Sequence, residues 1–115
     1  KKPFLKRFYS GLFAPENLEN QKTVIAEMFE LGMHMPDATL IELQSATQNR
    51  IDNLSALANA QVSIRFFAGA YDSLIPLAEI EEQVKKLPTA TLKIENVGHM
   101  GQFECPKALI DFLFN

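Results

Sequence analysis

Apolar residues recur at helical spacing through the first half of the chain and at strand spacing after residue 62. Phe4, Leu5, Phe8, Tyr9 and Leu12 fall three or four apart, as do Val24, Ile25, Met28 and Phe29, so each set forms one face of a helix. Gly32 offers a stop for the second helix. Pro36 and Asp37 open another through Leu40, Ile41 and Leu43, and a short helix follows around Leu54 to Ala58. From Val62 the pattern changes. Residues 62–68 are rich in β-formers and end at Gly69, which predicts a strand. Pro76 suits the first turn of a helix whose apolar face is Leu77, Ile80, Val84 and Leu87, with Pro88 as its stop. Glu79, Glu81 and Glu82 lie near its start and Lys85 and Lys86 near its end, matching the helix dipole. Two four-residue pairs, Glu81 with Lys85 and Glu82 with Lys86, are expected to support it. Thr91 to Glu95 alternates as a strand with one wet face, and Pro106 opens a last helix that buries Leu109, Phe112 and Leu113.

This order is a helical segment, residues 1–60, followed by a βαβα unit, residues 61–115, and the fold class is α/β. The two strands are expected to run parallel, with the alternating second strand near the sheet edge.

Composition narrows the functional classes. The 115 residues are 47% hydrophobic and 22% charged, the balance of an ordinary soluble domain. The formal charge of -3 and the lack of a basic run beyond Lys1-Lys2 argue against a nucleic-acid surface and a polybasic membrane patch. No apolar stretch reaches the ~20 residues of a membrane span. There is no signal-peptide pattern at the start. The single Cys105 excludes an internal disulfide framework, and a cytoplasmic location is expected.

Parallel strands deliver the loops that follow them to the same sheet end. The first loop is Gly69-Ala70-Tyr71-Asp72-Ser73-Leu74-Ile75-Pro76 and the second is Asn96-Val97-Gly98-His99-Met100-Gly101. With neighbouring strands ~4.8 Å apart, Asp72 and His99 can meet. A carboxylate beside an imidazole selects one tautomer and stabilises the imidazolium formed when a nucleophile gives up its proton. Gly98 and Gly101 flank His99 and are expected to allow the tight backbone that aims its side chain. Taken alone, an Asp after a strand is most often a turn former and a lone His most often structural. It is their joint placement at the carboxyl edge, where open α/β sheets bind ligands, that favours chemistry.

The first loop resembles the G-x-x-D-x-x-x-P segment of α/β-hydrolases, and Gly98-His99 through Glu104 and Pro106 resembles their G-H-x-x-x-x-E-x-P segment, in the right order. Resemblance implies that Asp72 is the triad acid and His99 the triad base, on the last two strands of the sheet. It implies that residues 1–60 correspond to an inserted cap, with looser similarity at Leu12-Phe13-Ala14-Pro15 and Leu54-Ser55-Ala56-Leu57. Met28 and Phe29 from the cap, with Leu74, Ile75 and Met100 from the loops, are then candidate pocket residues.

One departure is decisive for function. None of Ser10, Ser45, Ser55, Ser63 or Ser73 stands in a G-x-S-x-G elbow, and the oxyanion-hole segment is missing as well. The expectation is a C-terminal fragment whose nucleophile lies upstream and which is inactive alone. The intact protein is expected to hydrolyse a small ester or related acyl substrate. Alternatives are an epoxide, haloalkane or carbon–carbon bond hydrolase on the same scaffold, or a non-catalytic interaction module. Cys105 beside Pro106 reads as a packing residue, His34 as a cap-surface or core residue, and Arg65 as a side chain that snorkels to an end of the sheet. No metal site or cofactor is expected, because two candidate ligands fall short of a zinc set. The strand at 62–68 would leave one edge unpaired, so the isolated chain is expected to self-associate.

Overall fold

The computed structural model describes residues 1–115. Helices α1 (Lys2–Gly11), α2 (Lys22–His34), α3 (Asp37–Gln48) and α4 (Leu54–Ala58) come first, with a 3₁₀ turn at Pro15–Asn17. Strand β1 (Ile64–Gly69), helix α5 (Leu77–Lys85), strand β2 (Ala90–Glu95) and helices α6 (Gly101–Glu104) and α7 (Pro106–Phe114) complete the chain. The strands form a two-stranded parallel sheet, in register from Ile64 opposite Ala90 to Gly69 opposite Glu95.

Val62 and Ser63 precede the first strand rather than belonging to it, because β2 begins at Ala90, opposite Ile64. The Val62 carbonyl instead accepts a hydrogen bond from the Thr89 hydroxyl at 2.9 Å. Gly32 does not stop α2, which continues to His34. Its missing side chain serves packing: a Cβ there would meet the Tyr9 hydroxyl at 2.6 Å, so glycine is what lets α1 lie close to α2. Helix α5 ends at Lys85, before Pro88, and its salt bridge joins Glu82 to Lys85 at 2.8 Å instead of following the four-residue pairing. Leu113 on α7 is exposed, while Leu109 and Phe112 are partly covered.

Arg65 is the second residue of β1. Its guanidinium donates to the Phe112 carbonyl at 2.6 Å and stacks 4.8 Å over the Phe112 ring. A cation at a helix C-terminus meets carbonyls that have no partner within the helix, so Arg65 caps α7.

Where the core sits matters for the site. Helix α3 buries no residue, and Ile41 and Leu43 on it are exposed. The buried side chains instead include Leu12, Phe13 and Ala14 just after α1, Ala68 at the end of β1 and Val97 just after β2. Most of the buried apolar residues therefore lie at the junction where the α1 exit meets the carboxyl end of the sheet, with Leu5 on α1 and Leu87 after α5 buried elsewhere.

Candidate active site at the carboxyl end of the sheet

The backbone carries both loops past their strands before releasing them. The Ala70 N–H donates to the Glu95 carbonyl at 2.8 Å and the Tyr71 N–H to the Val97 carbonyl at 2.9 Å, which extends the pairing one step beyond β1. Asp72 follows directly. Its Oδ1 accepts from the backbone N–H groups of Leu74 and Ile75, both at 2.9 Å. This is the local hydrogen bonding that makes Asp a turn former. It also fixes the carboxylate so that Oδ2 faces the neighbouring loop, 2.8 Å from His99 Nδ1. The Asp72 side chain is 10% exposed and that of His99 is 32% exposed, so the acid is shielded and the imidazole open to solvent on one side.

An ionised carboxylate only accepts, so Nδ1 carries the proton in this contact and Nε2 is the nitrogen left to act as a base. Asp72 thus uses one carboxylate oxygen for its own turn and the other for the contact with His99.

The histidine loop is pinned from the other side by the α1 exit. The His99 N–H donates to the Leu12 carbonyl at 2.7 Å. A Cβ on Gly98 would stand 2.6 Å from the Ala14 nitrogen and 2.7 Å from the Leu12 oxygen. The backbone at Gly98 and Gly101 is not left-handed. Gly98 is needed for close approach of two backbones, and Gly101 starts α6.

Glu104, whose place in the G-H-x-x-x-x-E-x-P pattern does not by itself reveal a role, is a partner to this loop. Its carboxylate accepts from Gly98, Met100, Ala14 and Asn17. Its spacing after Gly98-His99 marks the residue in the sequence but not its partners.

A cleft of about 140 Å³ opens beside the dyad, lined by Asp72, His99, Ile75, Phe67, Ile80 and the glycines 69, 98 and 101. Of the candidate pocket residues, Ile75 lines this cleft. Leu74 is exposed beside it, and Met100 is half-buried at the start of α6. Met28 and Phe29 are half-buried on α2 and do not line it. A larger cavity of about 410 Å³ lies between the sheet and α7, against Arg65, Lys93 and Asp111. It contains neither member of the dyad, so chemistry and not size locates the site. No three His, Cys, Asp or Glu side chains gather as a metal would require, and no helix is long and apolar enough to cross a membrane.

Among the nucleophilic side chains, Ser73 is engaged and Cys105 is muted. The Ser73 hydroxyl donates to the Gly11 carbonyl at 2.7 Å. Burial pushes the Cys105 thiol above its ordinary range, helped by the negative charges of Glu95 and Glu104.

No family model and no curated protein matches the chain. Among solved structures it is similar to an alpha/beta hydrolase enzyme from a Medee basin deep-sea metagenome library, with a TM-score of 0.69 and 19% sequence identity over 90% of this chain. The chain spans 40% of that neighbour's length. The fold of this chain is accordingly the α/β arrangement found in an α/β-hydrolase, a helical segment followed by a parallel βαβ unit and closing helices.

Proposed function

We propose that this chain carries the acid and the base of a hydrolase triad acting on a small carboxylic ester or related acyl substrate. The nucleophile and the oxyanion hole would come from sequence N-terminal to these 115 residues. The observation that supports this reading is the 2.8 Å contact between Asp72 Oδ2 and His99 Nδ1, beside a cleft at the carboxyl end of a parallel sheet. His99 Nε2 takes the proton of the attacking nucleophile, and Asp72 holds the tautomer and stabilises the imidazolium. His99 then protonates the leaving group and activates water for the second half-reaction. Residues 1–60 act as a cap over the pocket and Ile75 lines its floor beside His99, while Met28, Phe29, Leu74 and Met100, which do not line the cleft itself, would reach substrate only where the N-terminal sequence completes the pocket. Residues 61–115 form the end of the catalytic core. The reaction needs no cofactor, and a reducing cytoplasmic setting suits the lone Cys105.

The test is the complete reading frame. Its product is expected to hydrolyse chromogenic short-chain esters, with His99→Ala and Asp72→Asn each lowering turnover by ~10³-fold or more. A reading frame with no nucleophile elbow before Lys1, or full turnover in His99→Ala, overturns the proposal.

A further inference from the structure

Glu104 joins two separated parts of the chain through a single carboxylate. Its Oε1 accepts from the Ala14 N–H at 2.7 Å and the Asn17 side-chain amide at 3.0 Å. Its Oε2 accepts from the Gly98 N–H at 2.9 Å and the Met100 N–H at 3.2 Å. Gly98 and Met100 are the two neighbours of His99, so one oxygen holds the backbone on both sides of the proposed base. The other oxygen holds the α1 exit. That segment is in turn bonded to His99 through the Leu12 carbonyl and to the Asp72 loop through Ser73 and Gly11. An ionised carboxylate accepts at both oxygens, so all four donors are satisfied, and charge-assisted bonds of this kind are the stronger class.

We propose that Glu104 is a positioning residue for His99, and that it makes the placement of the imidazole against Asp72 depend on the segment 12–17. The inference rests on the reading of Asp72 and His99 as an acid–base pair. The geometry explains why a carboxylate stands here. Glutamine has nearly the same shape but one acceptor oxygen, and either orientation of its amide turns an NH₂ group toward two N–H donors. Whichever side is released, the His99 N–H to Leu12 bond carries the displacement into the loop.

The experiment is NMR of the full 115-residue chain with labelled histidine, read at the downfield Nδ1–H proton and the ring nitrogens of His99. The parent is expected to show this Nδ1–H proton, and Asp72→Asn is expected to lose it. Glu104→Ala is expected to lose or broaden the signal, and Glu104→Gln to shift it, while the amide resonances of β1 and β2 stay dispersed. Should Glu104→Ala fail to fold, Glu104→Gln decides alone, because it preserves the packing volume. An Asp72-dependent signal that stays sharp and unmoved in the folded Glu104 variants overturns the proposal. A parent without any Asp72-dependent signal removes the pair itself, and the proposal with it.

Discussion

Replacing Gly98 with alanine tests whether the α1 exit truly locks the histidine loop. The added methyl would lie 2.6 Å from the Ala14 nitrogen, 2.7 Å from the Leu12 oxygen and 2.8 Å from the Phe13 carbonyl carbon. All three are backbone atoms, so no rotamer change relieves the overlap. Contacts with carbon are optimal at about 3.5–4.0 Å, so the segment must retreat by roughly 1 Å. That movement stretches the 2.7 Å bond from His99 to Leu12 and the 2.7 Å bond from Ala14 to Glu104. Overpacking costs about 1–3 kcal/mol, and weakening one neutral and one charge-assisted hydrogen bond adds about 2 kcal/mol. The expected loss is about 3–5 kcal/mol, a large part of the roughly 5–15 kcal/mol that holds a typical domain together. Gly11→Ala is the matched control. Its Cβ meets nothing nearer than the Ser73 hydroxyl at 4.0 Å, at the end of a helix where alanine is favoured by up to ~1 kcal/mol. Urea unfolding followed by circular dichroism reads both variants against the parent. A Gly98→Ala midpoint equivalent to a change under about 0.5 kcal/mol would refute the reasoning, since only an unconstrained surface position behaves that way.

Arg65→Met is expected to destabilise the chain by about 1–2 kcal/mol and to speed amide exchange in the last turn of α7, because it removes the cap on the Phe112 carbonyl and the stacking over the Phe112 ring. Unchanged exchange rates there would count against the capping role. Cys105 is expected to react with iodoacetamide more slowly in the folded chain than in urea at the same neutral pH, since burial raises its pKa and the thiolate is the reactive form. Its rate should climb only as pH passes above the ordinary thiol range, and equal rates in both states would contradict the burial. A serine-directed fluorophosphonate is expected to leave the 115-residue chain unlabelled, and stoichiometric labelling at Ser73 or any other serine would contradict the assignment of the nucleophile to a residue outside it. The outer edge of β1 has no partner strand, so sedimentation equilibrium is expected to show self-association, and a single 12.9 kDa species across the micromolar range would refute it.

Element order was legible because it is a local property. The three-to-four spacing of Leu77, Ile80 and Val84 and the alternation through Thr91 to Glu95 appear within single windows of the chain, as does Pro106 at the start of α7, whereas Pro76 stands just before α5 as its N-cap and not in its first turn. Placing Asp72 and His99 at one sheet end needed only the further rule that parallel strands release their loops on the same side. What local pattern could not supply was every contact that joins distant parts of the chain. The sequence shows Gly32 as a helix breaker, yet only the approach of Tyr9 explains a glycine inside α2. Arg65 reads as an intruder in an apolar strand until the C-terminus of α7 arrives above it. The first strand begins at Ile64 and not at Val62, because a strand extends only as far as its partner and not as far as its β-formers. By itself the sequence determined the elements, their order and the chemical groups at the sheet edge, since propensity and periodicity act over a few residues. Only the tertiary structure decided that the α1 exit packs against the histidine loop and that Glu104 clamps the two, because backbone approach and carboxylate sharing between residues far apart in the chain leave no periodic trace.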